Sequence, residues 1–444
     1  MQPSSSDPVT IGLLGCGNVG GALVELLAER QADIRATTGL DLQLARVAVR
    51  STSKTRSDLL DTSLLTADAE SVVNDPDIDL VVEVIGGIEP ARTLIQAALK
   101  AGKPVITGNK ELLANVGPEL YATADANSVD LLFEAAAAGA IPIVRPLRES
   151  LLGEDVTRVM GILNGTTNYI LTKMAEEGAD YAEALAEAQR LGYAERDPTA
   201  DVEGYDAGAK AAILASIAFG QNVVAGDVYH EGIANVSAYD IAFADRLGYE
   251  IKLLGIAEIF EGPDGAPGSR EIGVRVHPAM VPRSHPLASV RDSFNAVFVE
   301  GTAAGQLMFY GRGAGGAPTA SAVLGDVIDA AVNRRRGTHR PVPTGPRATI
   351  RPIDELAGAY YVNAEVSDAP GVLASVAGVF GANNVSIRSM EQEQDADGDG
   401  GAPGARLAFI THAAKERDLQ ATLSALRSLD AVTGIRSVLR VVGE

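Results

Sequence analysis

The sequence predicts an α/β fold: a doubly wound parallel sheet at the N-terminus, an α+β segment in the middle and a ferredoxin-like module at the end. Three observations lead there. A glycine triplet joins an apolar run to a helical pattern near the N-terminus. Apolar runs and helical patterns then alternate, as a parallel sheet with crossover helices requires, and the C-terminal stretch reads βαββαβ.

The first element is VTIGLLGCGNVGGALVELLAER. Residues 9–14 are an apolar run, and Val19, Leu23, Leu26 and Leu27 recur at helical spacing. Between them Gly15, Gly17 and Gly20 supply GxGxxG, in which absent side chains allow a sharp turn, close approach of a pyrophosphate and tight packing of helix on strand. Further apolar strands are expected at 45–49, 80–85 and 104–107, which makes the glycine triplet part of a Rossmann-type dinucleotide fold. Cys16 fits a small-residue slot in the turn and is not expected to act as a nucleophile. Where an NAD-binding chain usually places an acid for the ribose 2′-hydroxyl, this one has Arg50, followed by Lys54 and Arg56. Guanidinium groups pair with phosphate, so the stretch favours NADP, with NAD possible and a solvated basic loop as the alternative.

Composition narrows the class. A chain of 444 residues with 46% hydrophobic and 21% charged residues is that of an ordinary globular protein of several domains. A formal net charge of −21 repels phosphates and excludes nucleic acid as a partner. No apolar run is long enough to span a membrane and the N-terminus shows no targeting pattern, so the expected location is the cytoplasm. The single Cys16 excludes an internal disulfide, and the histidines lack metal-ligand spacing. His277 and His285, in HPAMVPRSHP, read as loop histidines.

Beyond the sheet, TGNKELLA (107–114) places Lys110 just after a strand, where doubly wound folds gather ligand contacts. GILNGTTNYIL (161–171) packs Asn164, Thr166, Thr167 and Asn168 into a patch that either caps the next helix or lines a pocket. GYAERDPTADVEGYDAGAK (192–210) gathers Glu195, Asp197, Asp201, Glu203 and Asp206 ahead of Lys210. Asp206 and Lys210 lie one helical turn apart, so the segment is either a solvated face or a site.

These stretches resemble the homoserine dehydrogenases. The family signature is met by Ala188, Gly192, Pro198, Asp201, Gly204, Asp206 and Lys210, and GNKELLA, ILNGTTNYIL and GRGAGGAPTASAVLGDVI (311–328) also resemble the family. The resemblance implies reversible NAD(P)-dependent reduction of L-aspartate 4-semialdehyde to L-homoserine. It makes Lys210 the proton donor to the developing alkoxide, with Lys110 as a second cation. Glu195 and Asp206 would bind the amino acid, with Asp201 in support, while Asp197 and Glu203 are left as solvated surface. Asn18, Val19, Gly192 and Gly315 join Gly15, Gly17, Gly20, Arg50 and Lys110 as cofactor contacts. FEAAAAGAIP (133–142) resembles the family's monovalent cation site, which implies Na+ held by Glu134 with the carbonyls of Ala137, Gly139 and Ile141. Alanines at 137 and 140 depart from the usual pattern, and an alanine-rich buried turn is the alternative.

RRRGTHRPVPTGPRATIRP (334–352) reads as a solvated linker that could also dock on the acidic surface. The βαββαβ stretch after it, with SDAPGVLASVAGVFGANNVSIRSM, resembles an ACT domain, an amino-acid-sensing module. Asp368 is a cap candidate for its first helix, with Gly371 and Val372 placed to meet an effector carboxylate. The long acidic loop 393–406 lacks the distal Glu of a calcium loop and reads as disordered. The expected organisation is a dinucleotide-binding domain over 1–145, completed by 312–333, a substrate and dimerisation domain over 146–311, the linker, and a separable ACT domain over 353–444. The expected protein is a homo-oligomer, dimer or tetramer, inhibited by an amino acid such as L-threonine. The rival reading is a non-catalytic amino-acid sensor that kept these folds.

Overall fold

The structure, a computed structural model, describes residues 8–262, 269–342, 345–395 and 404–443, so residues 396–403 of the acidic loop read as disordered lie outside the described residues. The chain divides into two compact units. The first holds residues up to 159 with 209–228 and 295–348, and the second holds 160–208, 229–294 and 349–444.

In the first unit, strands β1 (Val9–Leu14), β2 (Leu42–Ala48), β3 (Leu65–Thr66), β4 (Leu80–Glu83), β5 (Val105–Thr107) and β6 (Leu131–Leu132) form one parallel sheet in the order 3-2-1-4-5-6. The order reverses between β1 and β4, which opens a crevice at the carboxyl ends of the strands. Leu23, Val24 and Leu27 of the helix Asn18–Thr38 share a buried cluster with Val323, Leu324 and Val327 of the helix Gly316–Arg336. The late helix therefore packs into the core of the early sheet. Strand β4 stops at Glu83 instead of running to residue 85, because the Glu83 carboxylate accepts the amides of Ile85 at 2.7 Å and Gly86 at 3.3 Å and curls the chain.

The second unit is built on strands Tyr249–Glu261 and Arg270–Pro282, paired antiparallel along their whole length. The ACT stretch forms strand Ala357–Ser367, helix Val372–Ala382, strands Ile387–Asp395 and Gly404–Thr411, helix Glu416–Arg427 and strand Val432–Val441. Its last strand does not close a separate sheet. Ala279 and Met280 pair parallel with Arg440 and Val441, so the middle segment and the ACT module share one sheet.

A buried carboxylate reinforces that junction. Asp240, 1% exposed, accepts from Tyr361 OH at 2.8 Å, Asn363 Nδ2 at 3.0 Å and Ser437 Oγ at 2.6 Å, all within the ACT stretch. Its other oxygen takes the amide and hydroxyl of Ser237 at the start of its own helix.

Three expectations are corrected here. His277 lies on the Arg270–Pro282 strand at 1% exposure, not in a loop: the prolines at 278 and 282 sit within and at the end of a strand whose sheet neighbours cover it. Burial and the charges of Arg440 and Arg275 hold its imidazole neutral. The stretch read as a solvated linker is docked: Arg334–Arg336 end the helix, the Arg340 amide donates to Asp130 at 2.7 Å, Arg347 meets Asp227 at 2.6 Å, and Thr349–Ile350 pair with the Arg270–Pro282 strand. Fixed acids on a strongly acidic surface outcompete solvation of these arginines. Asp368 does not cap the ACT helix, whose N-cap is Gly371 at φ +90° with no side-chain bond.

Candidate active site

The crevice of the parallel sheet has the shape a dinucleotide needs. A side chain at Gly15, φ +97°, would meet the Val84 carbonyl, and one at Gly20 would strike the Gly15 carbonyl, so these two glycines are required by packing. At Gly17 a side chain would meet nothing within 4 Å; the space is open, and the uncapped first turn of the Asn18–Thr38 helix faces it. Asn18 is exposed and Val19 half-buried there. A cleft of about 540 Å³ runs from Gly15, Cys16 and Gly17 to Arg50, Lys54 and Arg56. Arg56 is spent on shaping that loop, donating to the carbonyls of Lys54 and Ser51 at 2.8 Å, while Arg50 and Lys54 stay exposed. Burial pushes the Cys16 thiol up, and the nearby Arg56 does not reverse it, which disfavours a thiolate. Gly315, φ +120°, opens the late helix without a side-chain cap, and a side chain at its neighbour Gly316 would approach the Asn18 carbonyl. The structure thus brings Gly315 to the glycine turn.

Lys110 is the first residue of the helix Lys110–Ala126, half-buried at the carboxyl end of β5. Asn109 caps that helix through Oδ1, which takes the Leu112 amide at 3.1 Å.

The signature acids divide. Asn164 Nδ2 donates to Asp201 Oδ1 at 2.7 Å and to Asp206 Oδ2 at 2.9 Å, while Asn164 Oδ1 caps the helix Gly165–Glu177 through the Thr167 amide at 2.8 Å. The patch read as either cap or pocket does cap the helix, and the same Asn164 also ties Asp201 to Asp206, a link that the sequence did not reveal. Asp206 and Lys210 lie one turn apart on the helix Tyr205–Phe219, each 8% exposed. An ordinary surface pair would be wet; this one is buried. Glu195 is exposed and Gly192, φ +79°, sits in the same loop; the loop is held by Gln189 Nε2, which donates to the Glu195 carbonyl at 3.0 Å. No hydrogen bond joins the Glu195 carboxylate to the Asn164 cluster. Asp197 is exposed and spent on a turn with Thr199, and Glu203 is half-buried.

The Glu134 carboxylate is bonded within its own turn, with acceptor capacity left on Oε2. It is 5% exposed, with one oxygen accepting the amides of Ile143 at 2.6 Å and Val144 at 2.8 Å and the other that of Arg145 at 2.8 Å. Burial raises its pKa, and the three amides pull it back. The carbonyls of Ala137, Gly139 and Ile141 remain as oxygen donors on a turn packed against Gly313. Among the described residues no group of three His, Cys, Asp or Glu side chains could hold a metal.

Beneath this turn Asp326 accepts the Glu134 amide at 2.8 Å and meets Arg145 at 3.0 Å, and burial raises it to about 7. A carboxyl whose folded pKa lies above its unfolded value stabilises fully below about pH 4 and loses that contribution as pH rises to about 7. In urea denaturation from pH 4 to 8, the stability advantage of the parent over Asp326→Asn is expected to shrink up to about pH 7 and then stay flat; an advantage that grows with pH would refute the assignment.

Comparison with known proteins identifies the family. The family model described as "Homoserine dehydrogenase" matches residues 142–328, "Homoserine dehydrogenase, NAD binding domain" matches 15–134, and "ACT domain" matches 360–431. The chain is 50% identical to a homoserine dehydrogenase of Mycobacterium tuberculosis over 443 residues, 100% of this chain and 99% of that one. The crystal structure of a Thiobacillus denitrificans homoserine dehydrogenase superposes with a TM-score of 0.90 at 39% identity, covering 98% of each chain. A hyperthermophilic archaeal homoserine dehydrogenase in complex with NADPH superposes at 0.61 with 28% identity, covering 74% of this chain and 98% of that one. No helix among the described residues is long and apolar enough to cross a membrane.

Proposed function

This chain belongs to the homoserine dehydrogenase family, and on that basis we propose that it reduces L-aspartate 4-semialdehyde reversibly to L-homoserine, using NADPH in preference to NADH. The observation that carries the reading is the buried Asp206–Lys210 turn, with Asp206 and Asp201 tied together by one Asn164 nitrogen. Asp206, supported by Asp201, holds the substrate ammonium, and Glu195 joins from its exposed loop when substrate arrives. Lys210 donates the proton to the aldehyde oxygen, and its charge, with that of Lys110, stabilises the oxygen as it becomes alkoxide. The bound dinucleotide supplies the hydride. A monovalent cation, Na+, would be held by Glu134 with the carbonyls of Ala137, Gly139 and Ile141 and would stiffen that turn. Mixing the protein with NADPH and aspartate semialdehyde and following NADPH oxidation tests the reaction; no oxidation would leave the sensor reading in its place.

Arg50 and Lys54, exposed at the cleft, support the NADPH preference, as does the NADPH complex of the archaeal relative. Arg50→Asp is expected to reduce the ratio of kcat/KM for NADPH over NADH by about ten- to a hundredfold, the worth of a hydrogen bond between charged groups. An unchanged ratio would assign the 2′-phosphate to other residues. L-Threonine is the proposed inhibitor: its carboxylate meets the helix start at Gly371 and Val372, which no side chain caps although the Val372 amide donates to the Ala369 carbonyl at 3.3 Å, and its ammonium faces the exposed Asp368. Titrating L-threonine into the same assay checks this, and the active species is proposed to be a homo-oligomer.

A further inference from the structure

Glu83 plays no part in the chemistry above, yet it is a fully buried carboxylate at the carboxyl edge of the dinucleotide sheet, 0% exposed. Burying a charge there is costly unless it is bonded for a purpose. One oxygen accepts the amides of Ile85 and Gly86, and the other accepts Thr107 Oγ1 at 2.6 Å across the β4–β5 pair. The chain of bonds continues from there. The Asn109 amide donates to Thr107 Oγ1 at 3.0 Å, and Asn109 Nδ2 donates to the Gly87 carbonyl at 2.7 Å, which closes a ring around the turn 84–87. The same Asn109 caps the helix whose first residue is Lys110.

The ring is needed because the turn cannot hold itself. Gly86 and Gly87 both have positive φ, 84° and 73°, and neither is backed by any atom where a side chain would stand. Two such glycines in succession leave the backbone free unless bonded from outside. Glu83 fixes the start of the turn, and Asn109 fixes its end along with the position of Lys110.

We propose that Glu83 is a positioning residue of the hydride-transfer site, acting through Thr107 and Asn109 to fix where Lys110 stands. This rests on the role of Lys110 proposed above. A double-mutant cycle separates the two. Glu83→Gln, Lys110→Ala and the double variant are assayed for kcat, for NADPH affinity by the fluorescence of the bound dinucleotide, and for thermal unfolding. Glu83→Gln keeps an oxygen for the two amides and removes the charge that orders the ring. The expected result is a kcat lowered about tenfold or more with KM for the aldehyde nearly unchanged, and no further loss when Glu83→Gln is added to Lys110→Ala. Additive losses, or losses that follow the melting temperature, would overturn the proposal. A Lys110→Ala that retains full kcat would instead overturn the role of Lys110. Should Glu83→Gln fail to fold, Thr107→Val breaks the same ring and Thr107→Ser rebuilds it: the former must lose kcat, the latter must recover it, and equal behaviour of the two refutes the inference.

Discussion

Replacing Lys210 by alanine is expected to lower kcat by about 10²- to 10⁴-fold, the usual worth of a positioned proton donor, while NADPH binding stays within a few-fold of the parent. The division follows from placement. Lys210 stands one turn after Asp206 on a buried helical face, whereas the glycine turn and Arg50 that line the dinucleotide cleft come from other elements. NADPH affinity read by fluorescence and turnover read by absorbance distinguish the two effects. A kcat within about threefold of the parent would remove Lys210 from the proton step and turn attention to Lys110. Asp206→Asn is the companion test. It keeps the shape but loses the charge proposed to grip the ammonium, so KM for the aldehyde should rise more than kcat falls.

Cutting the chain after Arg351 is expected to cost most of its stability, although the sequence presents the ACT stretch as a separable module. The cut removes the Val432–Val441 strand from the edge of Arg270–Pro282 and uncovers Met280, which is 0% exposed, and His277. It also strips Asp240 of Tyr361, Asn363 and Ser437, and Glu231 of Arg440, which meets it at 2.9 Å. Hydrogen bonds to a charged group are worth about 1.5–3 kcal/mol each, against a total of about 5–15 kcal/mol for a typical fold. Thermal unfolding should show a midpoint lower by about 10 °C or more, with lost activity following unfolding. A truncated chain that melts with the parent and turns over normally would show that the shared sheet is no structural necessity. The archaeal relative, nearly all of which matches only 74% of this chain, shows that a shorter chain of this family folds. The expected loss here comes from the particular acid left buried at this junction.

The dinucleotide fold was legible because its signals are local. Glycines at 15 and 20 are demanded by a turn and a close approach within a few residues, Gly17 leaves open space beside them, and the helix after them shows its apolar spacing directly. The role of Asn164 was half legible: its position before a helix marked a cap, but its second function joins Asp201 and Asp206 across about forty residues of sequence, and no periodicity reports that. The surroundings of Glu134 were illegible for the same reason. Its type fits a cation, and only the amides of Ile143, Val144 and Arg145 folding back onto it show what it binds.

By itself, then, the sequence determined the element order, the glycine turn, the basic cleft residues and the acid and lysine one turn apart, all of which depend on neighbours within a helical turn or a strand. The tertiary structure decided which acids are buried and bonded, that the ACT module shares a sheet with the middle segment, and that Glu83 holds a glycine turn from below. Those outcomes depend on bonds between residues far apart in the chain, whose strength is set by burial from water, and burial exists only once the chain has folded.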